Sequence, residues 1–125
     1  MRVLVDTSVC INHLHRTDEW LKELLHEGKV CTHPAVIGEL ACGAIAKRER
    51  FLDQLVRLPG VREESTEAVL RLIETDKLWG RGLGWTDVQI LASCRSERIQ
   101  LWTRDVSLRK AATALRLLQP ARRER

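Results

Sequence analysis

Three consecutive apolar residues, Val3-Leu4-Val5, run straight into Asp6-Thr7-Ser8. A short apolar run stopped by residues whose side chains cap helices reads as a buried strand feeding a helix. The same alternation continues along the chain. Thr17 is placed to cap a helix over residues 18–27, with Trp20, Leu21, Leu24 and Leu25 on its inner face and Gly28 at its stop. Residues 29–32 read as a second strand, and Pro34 opens a helix in which its missing N–H costs nothing. A helix over 48–58 ends at the break Leu58-Pro59, beside a short strand, and Ser65 caps another that runs to about Trp79. Thr86 and Gln89 have the spacing of a capping box, opening a helix that reaches about Arg98. Residues 99–103 form the clearest later strand, Asp105 starts a last helix, and Leu117-Leu118 suits an edge strand. Strands that alternate with helices imply a parallel sheet covered on both faces. The expected fold is therefore α/β, a three-layer α/β/α sandwich with a central parallel sheet of four to five strands.

A chain of 125 residues can bury a core of its own, so one domain over 1–125 is expected. No run of about 18 apolar residues exists to cross a membrane, and Asp6 cuts short the apolar start that a signal peptide needs. A cytoplasmic protein is expected. Lys and Arg total 21 against 17 Asp and Glu, a net charge of +4 that favours polyanionic partners without demanding them. Part of the excess lies in a basic tail at 121–125. Cys10, Cys31, Cys42 and Cys94 show no paired spacing, which argues for reduced, buried thiols instead of zinc or redox chemistry. His13, His15, His26 and His33 form no ligand pattern either. The glycines of Gly80-Arg81-Gly82-Leu83-Gly84 follow a helix, not a strand, so they do not make a dinucleotide loop.

Four acids stand apart from surface charge by position. Asp6 and Asp105 each follow a strand, and ligands of parallel sheets gather at the carboxyl ends of strands. Each can equally be a helix cap. Asp87 is not needed as a cap if Thr86 and Gln89 close the box, though it still suits the helix dipole. Glu39 lies on a helix over 34–45 whose neighbours Ala35, Val36, Cys42 and Gly43 are small or apolar. A carboxylate in such company calls for hydrogen-bond partners or a cation, an arginine or a metal, and Gly38 and Gly43 suggest close approach of another group. Carboxylates converging on one rim repel unless divalent cations neutralise them, and oxygen donors select Mg²⁺ or Mn²⁺. An acidic pocket in a basic protein suits a nuclease, whose lysines and arginines hold the polyanion.

Taken in order, Val3-Leu4-Val5-Asp6-Thr7-Ser8, Gly38-Glu39-Leu40, Gly84-Trp85-Thr86-Asp87 with Ile90-Leu91-Ala92-Ser93, and Leu101-Trp102-Thr103-Arg104-Asp105 resemble the PIN-domain family, and within it the VapC ribonuclease toxins. The resemblance implies Mg²⁺-dependent cleavage of RNA leaving a 5′-phosphate and a 3′-hydroxyl, homodimers, and neutralisation by a cognate antitoxin. Asp6, Glu39, Asp87 and Asp105 match the family's catalytic, metal-binding quartet. Thr103 matches the hydroxyl two residues before the last acid, and Thr7 or Ser8 the polar position after the first; these groups orient the carboxylates or water. A carboxylate-rich pocket also suits the guanidinium of an inhibitory partner. The stretch from Phe51 to Trp79 carries no motif of the family.

Two other classes compete. A phosphotransferase of haloacid-dehalogenase or receiver type also places an Asp after its first strand, but the former needs a second Asp where Ser8 stands. The latter needs a tight acidic pair that is not evident. A PIN-like protein that binds RNA or a partner without cutting has the intact quartet against it.

Overall fold

The computed structural model describes residues 2–120, and the basic tail at 121–125 lies outside them. Strand β1 (Val3–Val5) is the centre of a parallel sheet, paired on one side with β2 (Val30–Cys31) and on the other with β3 (Gln100–Trp102). The register sets Leu4 opposite Cys31 and Leu101. Successive strand residues face opposite sides of a sheet, and Val3, Leu4 and Val5 are all buried. Both faces are therefore covered, which is the layered α/β arrangement expected. The sheet has three strands among the described residues, fewer than the four to five expected. The outer positions shrink to single parallel bridges, Thr32 with Gly60 and Leu101 with Leu118. Pro59 precedes the first of these bridges, and a residue without an N–H cannot extend a ladder there.

The helices are α1 (Thr7–His15), α2 (Glu19–His26), α3 (Pro34–Cys42), α4 (Arg48–Leu55), α5 (Thr66–Thr75), α6 (Trp85–Glu97) and α7 (Val106–Ala114). Ser65 caps α5 as its spacing requires, its hydroxyl accepting from the Ala68 amide. Two caps differ from expectation. Asp18 takes the place of Thr17 at the head of α2, accepting from the Leu21 amide, because a carboxylate favours the positive end of a helix more than a hydroxyl does. Gly84 takes the place of Thr86 at the head of α6. Helix α3 stops at Cys42 instead of running on to Ile45, since Gly43 adopts an extended backbone.

On α2, Leu21 and Leu24 enter the core and Trp20 packs its ring 4.8 Å from that of Trp102, leaving Leu25 exposed. Core packing thus accounts for most of that apolar face. Helix α6 is buried on nearly all sides, from Val88 through Cys94, because α3, α5 and β3 all pack on it. Cys10, Cys31 and Cys94 are buried and Cys42 is exposed. Burial pushes the Cys10 and Cys94 thiols up to about 12, so both stay neutral and unreactive.

His33 has a role that ligand spacing does not reveal. It is fully buried at the head of α3, with Nδ1 accepting from the Ala35 amide at 3.0 Å and Nε2 2.9 Å from the Ser93 hydroxyl. That hydroxyl donates onward to the Arg62 carbonyl at 2.7 Å, so it accepts from His33, whose neutral Nε2–H form the network selects. Desolvation lowers the imidazole pKa below its ordinary value of 6.5, against the opposing charges of Glu63 and Glu97. A lowered pKa in the folded state means that the unfolded chain binds the proton first. The stabilisation is complete above 6.5 and is lost as pH falls below it. The urea midpoint is accordingly expected to drop between pH of about 7.5 and about 5.5, and this drop should shrink in His33→Asn, which keeps a cap acceptor but cannot titrate. Equal drops in both proteins would show that His33 does not carry the effect.

Candidate active site

The parallel register brings the ends of β1 and β3 side by side, and the Asp6 amide extends the ladder by one step, donating to the Trp102 carbonyl at 3.1 Å. Asp6 and Thr103 therefore emerge together at the carboxyl edge of the sheet. Asp6 is 5% exposed and Thr103 is fully buried. Both Asp6 oxygens are engaged: Oδ1 accepts from the Ser8 amide, which also makes Asp6 the cap of α1, and Oδ2 accepts a short hydrogen bond from the Thr103 hydroxyl. Capping and site geometry are thus not alternatives at Asp6; the same carboxylate does both. Burial raises its pKa, the Thr103 and Ser8 hydrogen bonds pull it back down, and the nearby charge of Asp87 adds to the rise.

Polar groups radiate from this pair. The Thr103 hydroxyl accepts from the Asp105 amide at 3.1 Å and lies 3.4 Å from the Ser8 hydroxyl, which in turn accepts from the Arg104 amide at 2.9 Å. Asp105 caps α7, its Oδ1 accepting from the Leu108 amide at 3.0 Å. Asp87 bends back to accept from the Gly84 amide at 2.9 Å, half of a capping box, since a glycine cap has no side chain to reciprocate. The inference that Asp87 is free of capping work is therefore corrected: it is the third helical residue and bonds the cap amide itself, because the cap is Gly84, two residues before Thr86.

Glu39 departs furthest from expectation. Its side of α3 is exposed, not enclosed, and its Oε1 accepts from the Thr7 hydroxyl at 2.9 Å, with no ion pair among the described residues. Nothing lies within 4 Å of where a side chain at Gly38 would begin, so that glycine marks no close approach. Small neighbours here leave the helix face open to solvent, a case that composition alone cannot tell from burial.

The structure thus links Glu39 to Thr7, joins Asp6 to Thr103 and Thr103 to Asp105, and holds Asp87 within electrostatic range of Asp6. Among the described residues no three histidine, cysteine or acidic side chains are gathered closely enough to hold one metal ion. The donor chemistry nevertheless suits a hard cation, since the side chains bonded to one another here are carboxylates and hydroxyls.

Residues 3–114 match the family model described as PIN domain. The chain belongs to the PIN-domain family. A curated relative, Ribonuclease VapC32 of Mycobacterium tuberculosis, is 44% identical over 110 residues, covering 87% of this chain and 89% of that protein. Among solved structures, VapBC-1 from nontypeable Haemophilus influenzae matches with a TM-score of 0.70 at 19% identity, over 95% of this chain and 96% of that one. VapBC2 from Rickettsia felis, bound to a DNA fragment from its promoter, matches with a TM-score of 0.66 at 18% identity, over 88% and 92%. At such identities the structural matches establish the fold, and the PIN arrangement agrees with the sheet and flanking helices described above. No helix of the described residues is long and apolar enough to cross a membrane.

Proposed function

We propose that this chain is a VapC-type ribonuclease toxin that hydrolyses phosphodiester bonds of RNA in the cytoplasm and is neutralised by a cognate antitoxin. The observation that carries the proposal is the 44% identity to a protein named as a ribonuclease over nearly the whole chain. In this reading Asp6, Glu39, Asp87 and Asp105 would be the catalytic acids and would hold Mg²⁺ or Mn²⁺. When bound, the cation supplies the Lewis acidity that makes water a nucleophile at neutral pH and offsets the charge gathering on the phosphate.

The side chains contribute position. Asp6 is held by two hydrogen bonds and buried, so its carboxylate has one orientation and little water to compete with it. Thr7 steadies Glu39 by donating to its Oε1. Thr103 and Ser8 tie the Asp6 and Asp105 segments into one unit, and Arg104 and Arg109 bring positive charge to the end of β3, the latter through its 3.3 Å bond to the Thr103 carbonyl. The homodimer belongs to the same proposal, and so does a guanidinium from the antitoxin engaging the acids.

Growth assays test the reading. Induced alone, the chain should arrest growth and leave cleaved RNA in the lysate, and co-expression of the antitoxin should restore growth. Harmless expression of the folded chain, with intact RNA, would overturn it.

A further inference from the structure

The loop between α5 and α6 carries an unusual pair of side chains. Trp79 lies within it and Trp85 closes it as the first residue of α6, and the two are 59% and 48% exposed. The other two tryptophans of the chain pack on each other at the sheet. Leu78, next to Trp79, is buried, so the loop is anchored and its indoles are not carried by a frayed end.

Its course places it beside the acids. Trp85 is the first residue of α6 and follows Gly84, the amide that Asp87 binds. Gly80 and Gly82 have φ of 70° and 76°, turning the chain where other residues are strained. At Gly82 a side chain would begin 3.1 Å from the Ser107 hydroxyl, in the first turn of α7 and two residues after Asp105. The loop therefore spans the heads of the two helices that carry Asp87 and Asp105. Lys77 and Arg81 on it, and Arg104 beside Asp105, are exposed and cationic.

Indole faces next to cations are how proteins hold unpaired nucleobases: the ring stacks on the base and the charge tracks the backbone. A base-paired helix offers no free face to such a ring. We propose that Trp85, with Trp79 on the same loop, supplies stacking faces that hold unpaired bases of single-stranded RNA beside the acidic site. The inference rests on the ribonuclease reading and assigns two substrate-positioning residues to it.

The test measures binding of a labelled single-stranded oligoribonucleotide and of its duplex by fluorescence anisotropy in EDTA, followed by kcat and KM on the single strand with Mg²⁺. Trp85→Leu and Trp79→Leu are expected to weaken single-strand binding about five- to 150-fold each, to leave duplex binding unchanged, and to raise KM more than they lower kcat. Trp85→Phe, which keeps a ring, should recover most of the loss and guards against a folding defect. Equal single-strand binding by the wild-type chain and Trp85→Leu overturns the stacking role while leaving the ribonuclease reading intact. So does a loss confined to antitoxin binding, which would assign the indoles to a protein partner. A wild-type chain that neither binds nor cuts RNA overturns both.

Discussion

Asp6→Asn is expected to lower RNA cleavage by about 10³-fold or more, and at the same time to stabilise the metal-free chain. The two effects have one origin. Burial raises the Asp6 pKa in the folded state, so its contribution to stability is complete below the ordinary value of 3.8 and is lost as pH rises through the folded value. At neutral pH the fold therefore carries a buried charge at a cost, and a neutral amide removes it. Asparagine caps α1 as well as aspartate does, so the Ser8 bond survives. Cleavage assays with and without excess EDTA, beside thermal melts with and without Mg²⁺, read both sides. The wild-type chain should gain stability on adding Mg²⁺, and Asp6→Asn should lose that response. Cleavage that persists in EDTA contradicts the assignment, and a metal-free Asp6→Asn chain that melts clearly below the wild type would show that the bonds from Ser8 and Thr103 to the carboxylate outweigh the cost of burying its charge.

Thr103→Val should cost about 10- to 100-fold in activity although this side chain is two residues away from the nearest acid in the chain. The valine keeps the shape and removes the hydroxyl that Asp6 accepts from and the Asp105 amide donates to. Since that hydrogen bond favours the ionised carboxylate, its loss should raise the Asp6 pKa further and move the acidic limb of the pH–rate profile to higher pH. The buried groups left without a partner should also lower stability by about 1–3 kcal/mol. Thr103→Ser retains the hydroxyl and should restore the profile, whereas a purely packing role would make serine the worse of the two. The pair with Asp6→Asn should be strongly non-additive, because the two side chains act through one hydrogen bond.

The ends of elements separate what was legible from what was not. Capping by Asp6, Ser65 and Asp105 could be read from the chain because a cap is a local event, settled within four residues. Thr17 and Thr86 show the limit: each has a competitor within two residues, and the choice depends on which geometry the rest of the fold permits. Strand count failed for a different reason. Leu117-Leu118 and the residues after Pro59 do meet the sheet, but at single bridges, and how far a ladder extends is decided by neighbours distant in sequence.

Taken alone, the alternation of strands and helices determined the α/β class, because it admits few right-handed parallel arrangements, and the motifs around Asp6, Glu39, Asp87 and Asp105 carried the resemblance to the family. The tertiary structure decided what each acid touches. Glu39 sits among small residues in sequence, yet it is exposed and bound by Thr7, 32 positions away. Asp6 meets Thr103 across 97 positions through the register of two strands. His33, without a ligand pattern, becomes the buried head of α3 through Ser93, 60 positions on. Local propensity acts over a turn of chain, whereas burial, pKa and partnership arise only when distant segments exclude water together.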